Sequence, residues 1–267
     1  MIIFKSINKL NKEVNFKANI GFVPTMGALH QGHVSLIRKS QINSKKTLVS
    51  IFVNPTQFNN KKDYKKYPKN IKKDLKLLKK LKVDYVLIPR VKDVYTNKNM
   101  NKIKMIKYNK ILCAKYRPGH FEGVLSVINQ FIKKIKVKKI FLGEKDYQQY
   151  ILIKKFLKKS STVKTILCKT IRMKNGLAYS SRNKLLNNNS IKRASLLISK
   201  TKKILSLLKK DLNNQSLIKN FLNNNKKFNI EYLELRNKNN LSKKISKKNV
   251  KIFIAFYIQG IRLIDNF

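Results

Sequence analysis

Two of the chain's three histidines, His30 and His33, stand in one ten-residue stretch, PTMGALHQGH (24–33), with two of its eight glycines. Imidazoles spaced i, i+3 can face one side of a turn and donate to the same group. The residues ANIGFVP before the pair read as a strand, and HVSLIRKSQ after it has helical spacing. Gly27 and Gly32 permit the tight turns between. A strand-to-helix turn gathers backbone N–H groups and the positive end of a helix dipole, which is where phosphates bind. Two imidazoles there could donate to phosphate oxygens as charge builds during displacement. For an isolated HxxH, a satisfied pair beside a turn is the simpler account. Zinc is weaker still, because no Cys or carboxylate stands at ligand spacing.

The elements that must position this pair alternate through the first two thirds of the chain. TLVSIFV, VDYVLIP, KKIFLG and TVKTILCKTI read as strands, with the helical patterns NIKKDLKLLKKLK, GVLSVINQFIKKIK and DYQQYILIKKFLKK among them. Such alternation predicts an α/β fold with a Rossmann-like, doubly wound parallel sheet, whose ligands bind beyond the carboxyl ends of the strands. PTMGALHQGH, VNPTQF, FLGEKD and NGLAYSSRN fall there. Beyond SSRNKLLNNNS the order changes to two helical segments followed by the strand-like FNIEYLELRN and KIFIAFYIQGIRLIDN. The expected division is therefore a Rossmann-like, ligand-binding domain over 1–183 and a smaller α+β lid domain over 184–267, with the cleft between them. The clusters NKNMNK (97–102) and NNNKK (223–227) read as surface loops.

Sixty-two Lys and Arg against 12 Asp and Glu give a formal charge of +50, which by itself suggests nucleic acid or an anionic membrane. Only eight of the basic residues are Arg, and the lysines are spread among Asn and Ile. Those three residue types use A/T-rich codons, so genome drift accounts for the charge. No concentrated basic block with interleaved aromatics stands out, and no specific nucleic-acid partner is expected. Cys113 and Cys168 are too few for a disulfide framework, which points to a reducing cytoplasm. The apolar start is too short for a signal peptide and IFIAFYI too short to span a bilayer, so a soluble, untargeted chain is expected.

HxGH after a strand and opening a helix resembles the HIGH-type signature of the nucleotidyltransferase superfamily. Within it, VPTMGALHQGHVSLI is similar to the first motif of the pantoate–β-alanine ligase (pantothenate synthetase) family. SIFVNPTQF, RPGHFEGVLSV, FLGEKDYQQ, GLAYSSRN and the closing RLIDN agree in order and spacing. Other nucleotidyltransferases of the HIGH type open with a shorter pattern and lack NPTQF. The resemblance implies ATP-dependent condensation of (R)-pantoate with β-alanine through a pantoyl adenylate, releasing AMP and pyrophosphate. It also implies magnesium with the ATP, and a homodimer.

Site roles follow from the same resemblance. His33, His30 and Lys145 are the expected catalytic groups. The nucleotide is expected along Met26, Gly27, Ala28, Leu29, His30, Gln31, Gly32 and His33, along Gly143, Glu144, Lys145 and Asp146, and at Ile171, Tyr179, Ser180, Ser181 and Arg182. Gln57, Gln149 and Arg117 are expected on pantoate, with Gln57 also near β-alanine. A glutamine amide both donates and accepts, which suits a hydroxy acid. A fold-stabilising salt bridge is the alternative for Arg117. His120 is read as structural, because a Gly-His-Phe turn can hydrogen-bond its own backbone. The sequence departs from the family pattern at Asn175, where an acid is common, and at Tyr179, where Met or Leu is common. The metal ligands are not indicated.

Overall fold

The computed structural model describes residues 1–59, 61–95, 103, 110–212 and 214–267. The cluster NKNMNK lies outside the described residues. One six-stranded sheet is formed by β1 (Ile2–Phe4), β2 (Ile20–Thr25), β3 (Lys46–Ile51), β4 (Tyr85–Leu87), β5 (Lys139–Gly143) and β6 (Lys164–Cys168). Its order is β1-β4-β3-β2-β5-β6, and every pairing is parallel. The connections hold α1 (Ile7–Glu13), α2 (Gln31–Asn43), α3 (Lys61–Lys66), α4 (Ile71–Lys80), α5 (Val91–Val94), α6 (Leu112–Tyr116), α7 (His120–Lys134) and α8 (Tyr147–Ser160).

The inner strands are apolar along their length because helices cover both faces of a doubly wound sheet. In β3 every residue after Lys46 is buried. Val23, Leu36, Ile37, Val49, Leu78 and Phe141 pack into one core. Gly21 has a packing reason: a Cβ there would stand 2.3 Å from Ser40 Oγ and 2.8 Å from Phe141 Cε2. Glycine lets α2 lie close on the sheet.

The winding reverses between β2 and β5. From β2 the chain runs outward through β3 to β4, and β5 then pairs on the other side of β2 and leads to β6. Such a reversal opens a crevice beyond the strands' carboxyl ends. The loop after Thr25 and the turn Glu144–Asp146 after Gly143 leave from these two strands.

Two compact units make up the chain: Met1–Glu144 with Leu152–Lys169, and Lys145–Ile151 with Thr170–Phe267. In the second, β7 (Ile230–Asn237), β8 (Val250–Ile258) and β9 (Ile261–Asn266) form an antiparallel sheet. Gln259 and Gly260, both at positive φ, make the two-residue turn between β8 and β9. Ile252, Ile254, Phe256 and Ile258 alternate along β8 and share a core with Leu197, Ile198 and Leu205 of α9 (Asn188–Leu208) and Phe221 of α10 (Gln215–Asn223).

The division drawn at 183/184 from the sequence falls inside this second unit, and Arg172 explains why 170–183 belong to it. Its Nη1 donates to Asp265 Oδ2 at 2.6 Å and its Nη2 to Asp265 Oδ1 at 2.9 Å. The same guanidinium lies over the Phe267 ring and donates to the Gly176 carbonyl. A paired fork of this kind holds one fixed geometry. Leu177 adds apolar contact with the same core.

Candidate active site

The loop after β2 is built from its backbone outward. Thr25 Oγ1 donates to the Ser50 carbonyl at 2.7 Å and accepts from Gly27 N at 3.1 Å. Gly27 and Ala28 follow at φ +76° and +50°. For a residue with a Cβ the left-handed region costs roughly 1–2 kcal/mol, so Ala28 needs to be held. Asp74, from the first turn of α4, supplies the hold: Oδ2 accepts from Ala28 N and Oδ1 from Leu29 N, each at 2.8 Å. Only 2% of Asp74 is exposed. A Cβ on Gly27 would meet Asp74 Oδ2 at 3.0 Å and Ile51 Cγ2 at 3.1 Å, so a side chain at this left-handed position would press on both neighbours.

His30 is the N-cap of α2, and its Nδ1 accepts from Gly32 N at 3.1 Å. An accepting Nδ1 carries no proton, so the neutral ring holds its proton on Nε2. His33 lies in the first turn of α2, and the two rings lie against each other with centroids 4.1 Å apart and planes tilted by 35°. The amides of Gly27, Ala28, Leu29 and Gly32 thus serve acceptors of the protein itself. At these four positions the backbone shapes the loop, and its imidazoles are the groups suited to meeting a phosphate. Met26 is half-buried and Gln31 is exposed.

A second construction follows β3. Asn54 is fully buried and caps the turn Pro55–Gln57; its Oδ1 accepts from Thr56 N, Thr56 Oγ1 and Tyr95 Oη, and its Nδ2 donates to the Gly123 carbonyl. Burial pushes the Tyr95 phenol above its ordinary value, so it stays a donor across the neutral range. A Cβ on Gly123 would stand 2.2 Å from the Thr56 carbonyl oxygen; glycine there lets α7 lie against the turn. The carbonyl of Gln57, itself buried, accepts from His120 Nδ1 at 2.7 Å and from Arg117 Nη2 at 3.3 Å. Because a carbonyl only accepts, His120 carries its proton on Nδ1, leaving Nε2 to accept from Arg117 Nη1 at 3.0 Å. His120 and Arg117 form a clamp on the backbone of Gln57.

The family model for pantoate-beta-alanine ligase matches residues 2–267. The chain belongs to the pantoate–β-alanine ligase family. A pantothenate synthetase from Francisella philomiragia is 42% identical over 276 aligned residues, which take in 100% of this chain and 97% of that one. Among solved structures, a pantothenate synthetase from Thermus thermophilus matches with a TM-score of 0.88 at 26% identity, over 100% of this chain and 99% of the other. The pantoate-beta-alanine ligase of Francisella tularensis, complexed with beta-gamma ATP and beta-alanine, matches with a TM-score of 0.82 at 40% identity, over 100% and 97%. The fold and the enzyme class expected from the sequence are those of this family.

Gly143 ends β5, and a Cβ on it would meet only Leu36 Cδ1, at an ordinary 3.9 Å. Protein packing therefore does not demand glycine at that strand end. Glu144 follows, half-buried. In the second unit, Lys145 Nζ donates to Asp146 Oδ1 at 3.4 Å, and the Lys145 carbonyl accepts from Asn266 Nδ2 at 2.8 Å. Gln149 is half-buried on the first turns of α8. Ile171 and Tyr179 pair through Tyr179 N and the Ile171 carbonyl, at the base of a turn with Gly176 at φ +85°. Asn175 accepts from Leu177 N at 3.1 Å, a bond an acidic side chain could also accept, which accounts for that departure from the family pattern. Ser180 caps the turn Ser181–Leu185 by accepting from Arg182 N, and Ser181 is buried. Among the described residues, no group of three or more His, Cys, Asp or Glu could hold a metal ion.

Of the loop builders, Asp74, Asn54 and Tyr95 were not legible as site residues. Asp74 carried one faint signal, as a scarce acid in a helix otherwise rich in lysine.

Proposed function

We propose that this ligase makes pantothenate in two steps. A carboxylate oxygen of (R)-pantoate attacks the α-phosphorus of ATP; the bond to the oxygen bridging to the β-phosphate breaks, and pyrophosphate leaves. The amine of β-alanine then attacks the acyl carbon of the pantoyl adenylate and loses a proton, and AMP departs with the acyl–oxygen electron pair. The observation that carries this reading is the adjoining His30–His33 pair at the N-terminus of α2, on the loop that leaves the sheet at its winding reversal. Binding of beta-gamma ATP and beta-alanine by the Francisella tularensis relative supports the same substrates here.

His33 donates to phosphate oxygens as their charge grows, while His30, its Nδ1 already taken by Gly32 N, offers Nε2–H. Lys145 supplies a positive charge for the phosphates, and Ser180, Ser181 and Arg182 contact the triphosphate. The loop from Met26 to His33, the turn Gly143–Asp146 and the pair Ile171 and Tyr179 line the nucleotide. Gln57 and Gln149 hold the hydroxy acid, and Gln57 also lies near the incoming amine. Arg117, through its hold on the Gln57 carbonyl, fixes that amide in place. Magnesium commonly takes one or two carboxylates plus substrate phosphates; Asp146, half-exposed, suits that part, and the ion would neutralise phosphate charge. We further propose a cytoplasmic homodimer that needs no nucleic acid.

His33→Ala tests the reading. A donor that acts mainly in the transition state lowers the rate constant more than substrate affinity. Such a donor is worth about 3 kcal/mol, so pantoate-dependent pyrophosphate release should fall roughly a hundredfold. The dissociation constant for pantoate should stay within about threefold. Wild-type adenylation in this variant would remove His33 from the mechanism.

A further inference from the structure

We infer that Asp74 is a positioning residue for the histidine loop: a buried carboxylate, 46 residues from Ala28 in sequence, that fixes where His30 begins α2. The inference rests on the proposed reaction, since it names the group that shapes the loop carrying that chemistry. Three independent observations meet at this side chain. Its two oxygens take the amides of consecutive residues, Ala28 and Leu29, each at 2.8 Å. Those amides sit directly after and within a pair of left-handed residues, Gly27 and Ala28, whose shape a chain does not hold unaided. Gly27 is packed closely on Asp74: a Cβ there would stand 3.0 Å from Oδ2, tight enough to press on the carboxylate.

A carboxylate is suited to this position because it accepts at both oxygens and donates at neither. Backbone amides that bind an anion are commonly directed at a ligand; here the protein provides the anion, so the loop is shaped before nucleotide arrives. His30 follows Leu29 directly, and its Nδ1–Gly32 bond sets the start of α2. A loop that lost its hold at 28 and 29 would let both imidazoles wander, and groups misplaced by about 1 Å lose rate rather than ground-state affinity. The helix bearing Asp74 is itself anchored: Leu78 is fully buried in the core beneath the loop.

Amide exchange on the unmodified full-length chain without substrates is the first test. Ala28 and Leu29 should be protected to within tenfold of Val23 and Val49 in the sheet; free exchange at both would overturn the inference at once. Asp74→Asn is the second. Its amide keeps one acceptor and sets an NH2 group against the other backbone N–H. One of the two amides should then exchange at least tenfold faster, with the sheet amides unchanged. Turnover should fall at least tenfold, with the KM for pantoate within twofold, and Asp74→Glu should restore part of it. An Asp74→Asn protein that keeps wild-type turnover and wild-type exchange at both amides refutes the role. Should Asp74→Asn not fold, Gly27→Ala presses on the same contact from the loop side, and unchanged turnover there would refute it equally. If the wild-type chain releases no pyrophosphate with pantoate, the proposed reaction fails, while the exchange data still judge Asp74.

Discussion

Replacing His120 with alanine removes the two bonds that His120 itself makes in the clamp, one to the Gln57 carbonyl and one to Arg117. The Nδ1–H bond to the Gln57 carbonyl is short, 2.7 Å, and the Nε2 atom holds one arm of Arg117 at 3.0 Å. A neutral bond is worth about 0.5–1.5 kcal/mol and one to a charged group about 1.5–3 kcal/mol, together roughly 2–4.5 kcal/mol. Both side chains are half-exposed, so water would replace part of what is lost. That leaves about 1.5–2.5 kcal/mol, or roughly a 10- to 60-fold change in an equilibrium constant. Arg117 keeps only its longer contact with the carbonyl, at 3.3 Å, and the turn Pro55–Gln57 is no longer pinned at its end. Calorimetry should therefore show pantoate affinity weakened by that factor, with affinity for an ATP analogue within twofold of wild type. The opposite partition refutes the reasoning: unchanged pantoate affinity, with the whole loss appearing in the free energy of unfolding, would make the clamp a support of the fold alone.

Three further outcomes are expected. Arg172→Ala leaves Asp265 buried without its paired fork, and breaking a buried pair costs about 3–5 kcal/mol, so denaturant unfolding of this variant should show a loss of that order; under about 1 kcal/mol would contradict the geometry. Burial pushes the Cys168 thiol up to about 11, so at pH 8 roughly one molecule in a thousand presents a thiolate; iodoacetamide should leave Cys168 of the native protein unlabelled over hours, and rapid labelling would show an open β5–β6 edge. Charges farther than about 10 Å through water at 0.1 M salt are largely screened, so neutralising Lys79, Lys80 and Lys82 should keep turnover within twofold. A salt-resistant complex with one defined RNA, lost in that triple variant, would instead give the +50 charge a function.

The parallel sheet was legible because each inner strand is a short, mostly apolar run between helical segments. Both faces of such a strand are covered, and few other environments write that pattern. The loops at its strand ends were legible because scarce residues, His and Gly, gather there. β1 was missed: three residues are too few for any periodicity, and its pairing with β4 is decided some 80 residues away. Asp74 and His120 escaped for a related reason. The sequence suggested that His120 bonds within its own turn, but it bonds the Gln57 carbonyl 63 residues away, and Asp74 reaches Ala28 across 46. Local patterns register what a residue does to its neighbours; these two act on distant backbone. The domain division followed the change in texture at 184, whereas the Arg172–Asp265 fork draws the preceding segment into the second unit.

That fork also orders events during synthesis. Arg172 precedes Asp265 by 93 residues, so a ribosome adding about 5–20 residues per second exposes the arginine for roughly 5–20 s before its partner exists. Every residue of the first unit, up to Lys169, has been made before that interval begins. The segment Lys145–Ile151, made earlier still, has to wait, because the Lys145 carbonyl is met by Asn266 at the end of β9. A nascent chain stalled before β9 would therefore hold every strand of the parallel sheet but lack one strand of the second unit's sheet. A nick or premature stop in that strand would remove the bonds that hold Arg172 and Lys145 in place. β9 is the closing stitch of the second unit.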